Sequence, residues 1–147
     1  MNAKLLNRIS AKSIDFFIII ALYEIIPGIG YFAGLAYLLM ADGLFQGRSI
    51  GKRLMGIKVV YYITDMTTAC DYKESVYRNS LFAAGYLMAG VLKAIPLLGE
   101  ILAFVVIAAV LVFEGLVMIG SEEGMRYGDE FAKTRVIEDK EGGLNVS

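Results

Sequence analysis

The chain has 147 residues, no histidine, one cysteine (Cys70) and a formal net charge of −1. Without histidine and with one thiol, it can build no Ser-His-Asp or Cys-His nucleophile, no disulfide framework and no ordinary zinc, copper, haem or iron–sulfur site, so no metal or cofactor is expected. Hydrophobic residues make up 57% and charged residues 20%, with a mean hydropathy of +0.61; this exceeds the apolar share of soluble domains, and a near-zero net charge offers nothing to nucleic acid.

Lys4, Arg8 and Lys12 precede an apolar run, as in a secretory signal. Asp15 inside that run, and its continuation past Pro27 without a small-residue cleavage site, argue instead for a retained first span. Between Ser13 and Asp42 the only charged side chains are Asp15 and Glu24. A carboxylate at mid-bilayer costs roughly 3 kcal/mol or more, so Asp15 calls for a partner or a task.

Two apolar blocks, 13–45 and 79–120, are each too long for one span of about 20 residues and suit two. Ile26-Pro27-Gly28-Ile29-Gly30 breaks the first, and Ile95-Pro96-Leu97-Leu98-Gly99 breaks the second. The pattern predicts an all-α membrane protein with four transmembrane helices in two hairpins, at about 9–26, 29–46, 74–94 and 97–119. Of the 14 basic residues, only Lys93 lies by a hairpin turn. The positive-inside rule therefore places both termini and the central connection in the cytoplasm, with two short turns outside, as in a multi-pass membrane protein.

The central segment is too polar to span. Ile50, Leu54 and Ile57 share a helical face, with Arg48, Lys52 and Arg53 largely elsewhere. This reads either as a short interfacial helix touching anionic lipid headgroups or as a solvated basic loop. Lys58–Ile63 and Thr134–Ile137 read as two short strands able to pair in a small cytoplasmic ribbon. Asp71 followed by Glu74 reads as the cap opening the third long helix. Gly30 and Gly34 permit close helix approach, within the hairpin or in a homo-oligomer. Tyr61, Tyr62, Tyr72 and Tyr77 suit the interfacial belt. Gly47 to Arg53 lacks the spacing and the hydroxyl of a nucleotide-binding P-loop.

The two halves, about 5–62 and 74–137, correspond. Arg8 matches Arg78, Glu24 matches Lys93, the two Ile-Pro turns match, and Asp42-Gly43 matches Glu114-Gly115. Gly51-x-x-Leu-x-x-x-Lys-Val-Val matches Gly128-x-x-Phe-x-x-x-Arg-Val-Ile. With two spans in each half, this is a parallel repeat. Residues 138–147 read as a disordered tail.

Arg8 and Asp15 in the first span, SIGKRLMGIKVV after the second and GDEFAKTRVI near the end together resemble the RDD family of bacterial membrane proteins, named for an arginine and two aspartates. The resemblance covers nearly the whole chain. It assigns the family's arginine to Arg8, its first aspartate to Asp15 and its second to Asp129, followed by Ala132, Thr134 and Val136. The family's Ser/Thr-x-Gly-Lys element falls on Ser49, Gly51 and Lys52. Gly128 stands where many members carry histidine, and Lys133 where glycine is common. The resemblance implies membrane residence and a role in transport.

Arg8 and Asp15 lie about 10 Å apart along one helix face, too far for a direct ion pair unless Arg8 curls inward. Hairpin geometry places Asp15 and Asp42 at similar depth. There they either form a titrating pair for protons or a small cation, with Arg8 tuning them, or are neutralised structurally by Arg8 or Arg78. An Arg78–Glu114 clasp, an ion pair or vestibule from Glu24, Lys93 and Glu100, and an Asp129 that caps a helix or ties down residues 48–53 complete the expected set. Two functions remain open: transport of a small cation or protons, and a non-catalytic membrane scaffold or accessory subunit of a larger complex.

Overall fold

A computed structural model describes residues 3–62 and 68–139. Of the described residues, 67% are helical, and among them lies one small two-stranded sheet. Its elements run α1 (Leu5–Ile25), α2 (Gly30–Met40), a 3₁₀ turn (Ala41–Gly43), α3 (Ile50–Leu54), β1 (Ile57–Tyr61), α4 (Tyr72–Leu92), α5 (Gly99–Gly120), α6 (Tyr127–Phe131) and β2 (Thr134–Glu138). One order, a long helix, its return, a five-residue helix and a strand, therefore occurs twice.

Local chemistry sets the boundaries. Pro27 drives Ile26 out of helical geometry (ψ 87°) and so stops α1. Gly28 then takes φ +80°, and Leu97, its counterpart after Pro96, takes φ +68°. Ser49 caps α3 by accepting the Lys52 N–H, and Asp71 caps α4 by accepting the Tyr72 N–H at 2.8 Å. The second helix is shorter than its predicted span: it ends at Met40, and Asp42 lies in the tighter 3₁₀ turn beyond.

Among the described residues one helix, α5, is by length and composition long and apolar enough to cross a membrane. At 22 residues it extends about 33 Å, close to the thickness of a hydrocarbon core. Helices α1 and α4 have 21 residues each but carry charge within their apolar sequence.

The helices pack in the order α1, α2, α4, α5, with α3 against α1 and α6 against α4. Gly30 sits on α1, where a Cβ would lie 2.2 Å from the Leu22 carbonyl oxygen, so the Gly30–Gly34 pair serves packing within the hairpin. Tyr31 and Tyr86 stack at 4.7 Å between α2 and α4, and the Tyr31 hydroxyl donates to the Tyr86 carbonyl at 2.9 Å. Ile19, Leu38, Phe82 and Ala83 form the mid-helix core, while Ala3, Ala11, Ile57, Val59, Cys70 and Val136 form a second core under the ribbon.

The ribbon pairs β1 and β2 antiparallel, from Ile57 opposite Glu138 to Tyr61 opposite Thr134. It thus joins the two halves. The expected tail begins later than its composition indicates. Glu138 belongs to β2, and buried Asp139 lies 2.5 Å from Arg48 and donates its N–H to the Gly56 carbonyl. The rest of that expected tail, 140–147, and the Ile63 end of the first predicted strand lie outside the described residues.

Lys133 takes φ +55°, the counterpart of Gly56 at +62°, which gives a physical reason for glycine being common at its position in the resembled family. Lys133→Gly should therefore stabilise the fold by about 1 kcal/mol, from relief of left-handed backbone strain less glycine's entropy. Thermal unfolding in detergent checks this.

Candidate functional site: a buried ionic layer

Between the two cores lies a layer of charge. Arg78 and Asp129 are fully buried, and Asp42 and Asp15 are only 2% and 3% exposed. Such burial is unfavourable unless each group is paired and its hydrogen-bonding capacity filled.

Arg78, near the start of α4, is the centre. Its Nε donates to Asp42 Oδ2 at 3.0 Å, its Nη1 donates to Thr134 Oγ1 at 2.8 Å, and its Nη2 lies 2.8 Å from Asp129 Oδ1. One planar guanidinium thus connects the end of the first hairpin, the last short helix and the last strand. The shape of the arginine fork allows this, and a lysine could not reproduce it.

Asp42 is held from two more sides. Lys52 pairs with its Oδ1, and its backbone N–H donates to Ser75 Oγ at 3.1 Å, while Ser75 itself donates to the Leu39 carbonyl. Asp129 takes three arginines: Arg8, Arg78 and Arg126. It also accepts the N–H of Arg126, the N-cap residue of α6, and so closes the start of that helix from its third position, as in a capping box. Arg8 donates to the Gly124 carbonyl as well, and so reaches the last third of the chain rather than Asp15. Burial by itself would raise the Asp129 pKa, but Arg78, Arg126 and Arg8 hold it below the usual carboxylate range.

Asp15 is organised differently. It accepts hydrogen bonds from Tyr37 Oη (2.7 Å), Ser49 Oγ (2.5 Å) and the Gly51 N–H (3.0 Å). Its carboxylate therefore sits at the N-terminus of α3, held by neutral donors. This explains the Ser-x-Gly-Lys element: Ser49 and Gly51 bind Asp15, and Lys52 binds Asp42. Gly51 must be glycine, because a Cβ would lie 2.0 Å from the Ala11 carbonyl oxygen. Gly128 repeats the device, with a Cβ position 2.0 Å from the Arg78 carbonyl oxygen. A histidine there has no room in this packing.

Several expected pairings form differently. Asp15 and Asp42 bind separate sets of donors, with Lys52 lying in the field of both. The Arg78–Glu114 clasp is not formed, because Arg78 is taken by Asp42 and Asp129. Asp129 caps α6 as one expectation had it, but it is Asp42 that binds the 48–53 segment, through Lys52. Lys52 points inward, and Arg48 turns to Asp139 at 2.5 Å. Of the three bases assigned to lipid, Arg53 is the exposed one, over the Phe45 ring at 5.1 Å. At the far end Glu24, Lys93 and Glu100 are exposed, no salt bridge joins them among the described residues, and Lys93 lies 4.9 Å from the Tyr23 ring.

Tyr37, Ser75 and Arg126 were not foreseen as members of this layer; each resembles ordinary belt, helix or topology chemistry in sequence. In the sequence Lys12 reads only as a topology charge, yet its Nζ donates to Asn79 Oδ1 at 3.1 Å and lies 4.5 Å from the Phe82 ring. No family model, curated protein or solved structure matches the chain.

Arg78→Ala should cost about 3–5 kcal/mol, since it strands two buried carboxylates, whereas Arg53→Ala should stay within about 0.5 kcal/mol. Chemical unfolding in mild detergent measures both. Because the folded pKa of Asp129 lies below its ordinary 3.8, its stabilising contribution is full above that value and is lost as pH falls through the folded one. Asp129→Asn should flatten the acid limb of a stability-versus-pH curve below about pH 4.

Proposed function

We propose that this chain is a multi-pass protein of the bacterial cytoplasmic membrane, of the RDD type, with four helices in the bilayer and both termini and the ribbon cytoplasmic. It serves as a non-catalytic membrane scaffold or accessory subunit, working as a homo-oligomer or within a larger membrane complex. One observation carries the reading: polarity is inverted relative to a soluble domain. Phe17, Val91 and Phe104 are each 73% exposed, while Arg78 and Asp129 are fully buried. Apolar surface of that kind along every long helix suits lipid and is unfavourable in water.

The charges support a fastening role. Asp42 and Asp129 are met by cations, and Asp15 by three donors, so among the described residues the motif residues Arg8, Asp15, Ser49, Gly51, Lys52, Asp129 and Thr134 close a network in which each motif carboxylate has its partners.

A second reading, transport of a small cation or protons, is favoured by Asp15 alone. It is the one motif carboxylate without a salt bridge among the described residues, and hydroxyl donors can release it to a proton or cation. Proteoliposomes carrying the purified protein under an imposed pH or Na⁺ gradient separate the two. The scaffold reading predicts flux no greater than in empty vesicles, for wild type and Asp15→Asn alike, and co-purification of a larger complex in mild detergent. Flux that Asp15→Asn abolishes in a folded protein establishes transport instead.

A further inference from the structure

A cavity of about 320 Å³ lies between α1 and α5, floored by Phe82 of α4, at the end of the helices next to the ribbon. Its walls combine apolar side chains such as Ile9, Leu111 and Met118 with the charged groups of Arg8, Lys12, Glu114, Arg126 and Lys52, the last held by Asp42. Arg8 and Arg126 are committed to Asp129. Among the described residues Lys12 and Glu114 form no salt bridge.

The Lys12 ammonium has Asn79 Oδ1 at 3.1 Å and two aromatic faces nearby, and no carboxylate within salt-bridge distance among the described residues. Glu114 is 2% exposed, and neither carboxylate oxygen meets a donor at ordinary hydrogen-bond geometry. The Gly128 amide and the charges of Arg126 and Lys12 act on it from a distance, without an ion pair or a hydrogen bond of ordinary geometry among the described residues. A buried carboxylate left this way is costly and calls for a cationic donor. One unmatched positive group and one unmatched negative group thus face a single cavity.

That charge arrangement selects its occupant. A simple anion in the cavity would meet Glu114, and a simple cation would meet Lys12 and two arginines. A zwitterion places each of its charges against the complementary wall. Farther along α1 and α4, a larger cavity of about 990 Å³, with Ile107 of α5 on its wall, offers an apolar lane past Ile20, Leu87 and Val91. Helices α1 and α5 stand at the two ends of the packing order, and neither lies between other long helices.

We propose that the α1–α5 cavity binds the head group of a phosphatidylethanolamine-type lipid, its phosphate on Lys12 beside Arg8 and Arg126, its ammonium on Glu114, and its acyl chain in the apolar lane. Only a primary ammonium both carries the charge and donates the hydrogen bonds that Glu114 lacks. This rests on the membrane reading above.

The test titrates purified protein in mild detergent with dioctanoyl lipids bearing ethanolamine, glycerol or choline head groups, read by native mass spectrometry. The ethanolamine lipid should bind about tenfold tighter than the other two, the scale of one charge-assisted hydrogen bond. Glu114→Gln should level ethanolamine and glycerol lipids, and Lys12→Gln should weaken the phosphate contact for all three. Circular dichroism and gel filtration confirm that each variant is folded; Glu114→Asp, which keeps the charge, should retain the preference. Equal binding of the three lipids, a preference for the glycerol lipid, or equally tight binding of soluble glycerophosphoethanolamine overturns the proposal. A protein that stays dispersed and folded without detergent overturns the membrane reading itself.

Discussion

The Arg78 guanidinium, fully buried and facing Asp42 on one side and Asp129 on the other, is the constraint around which the rest is arranged. Asp42 belongs to the end of the first hairpin. Asp129 belongs to a short helix that follows the second. Bringing both to one side chain fixes the two halves relative to each other, and Thr134 adds the first residue of β2. The close approaches follow from it: α6 must lie directly on the α4 backbone, and only glycine at position 128 allows that. On the other side α3 lies as closely on α1 through Gly51, which delivers Ser49 to Asp15 and Lys52 to Asp42.

This layer also accounts for where polarity is concentrated. The helices are apolar outward, and their charges collect at the end nearest the ribbon, with the exposed trio Glu24, Lys93 and Glu100 at the other. Removing one partner from such a layer is costly because the other is left charged in an apolar setting, so the members act as a unit. Lys12 and Glu114 stand out because they belong to the same layer yet, among the described residues, close no ion pair within it.

Much of the fold was legible in the sequence. The Pro turns located both hairpin breaks, the β-branched runs located the ribbon, and the repeat is visible as one element order occurring twice. Asp71 as a cap followed from its spacing. The site was less legible. Most of the charged members are named by the sequence, and so is one pairing, Asp42 neutralised by Arg78; Tyr37, Ser75, Arg126 and the other pairs are not, because helix periodicity fixes depth and face within a hairpin and says nothing of how two hairpins meet. Arg78 was assigned to Glu114 from depth alone, and the sideways approach of Asp42 and Asp129 overrides it. Lys52 looked like a surface base because its neighbours Arg48 and Arg53 are basic, and a five-residue helix turns one of the three inward. Tyr37 could not be told from an ordinary belt tyrosine. The apolar sequence extends the second helix past its true end because Ala41 to Phe45 remains largely apolar, while the chain there tightens to set Asp42 in place.

A double-mutant cycle between Asp42→Asn and Arg78→Gln, by equilibrium unfolding in mild detergent, tests the central claim most directly. The account predicts strong coupling: the double variant should be less destabilised than the sum of the singles, by about 2–3 kcal/mol. Simple additivity within about 0.5 kcal/mol would show that the two residues stabilise the protein independently, and would contradict it.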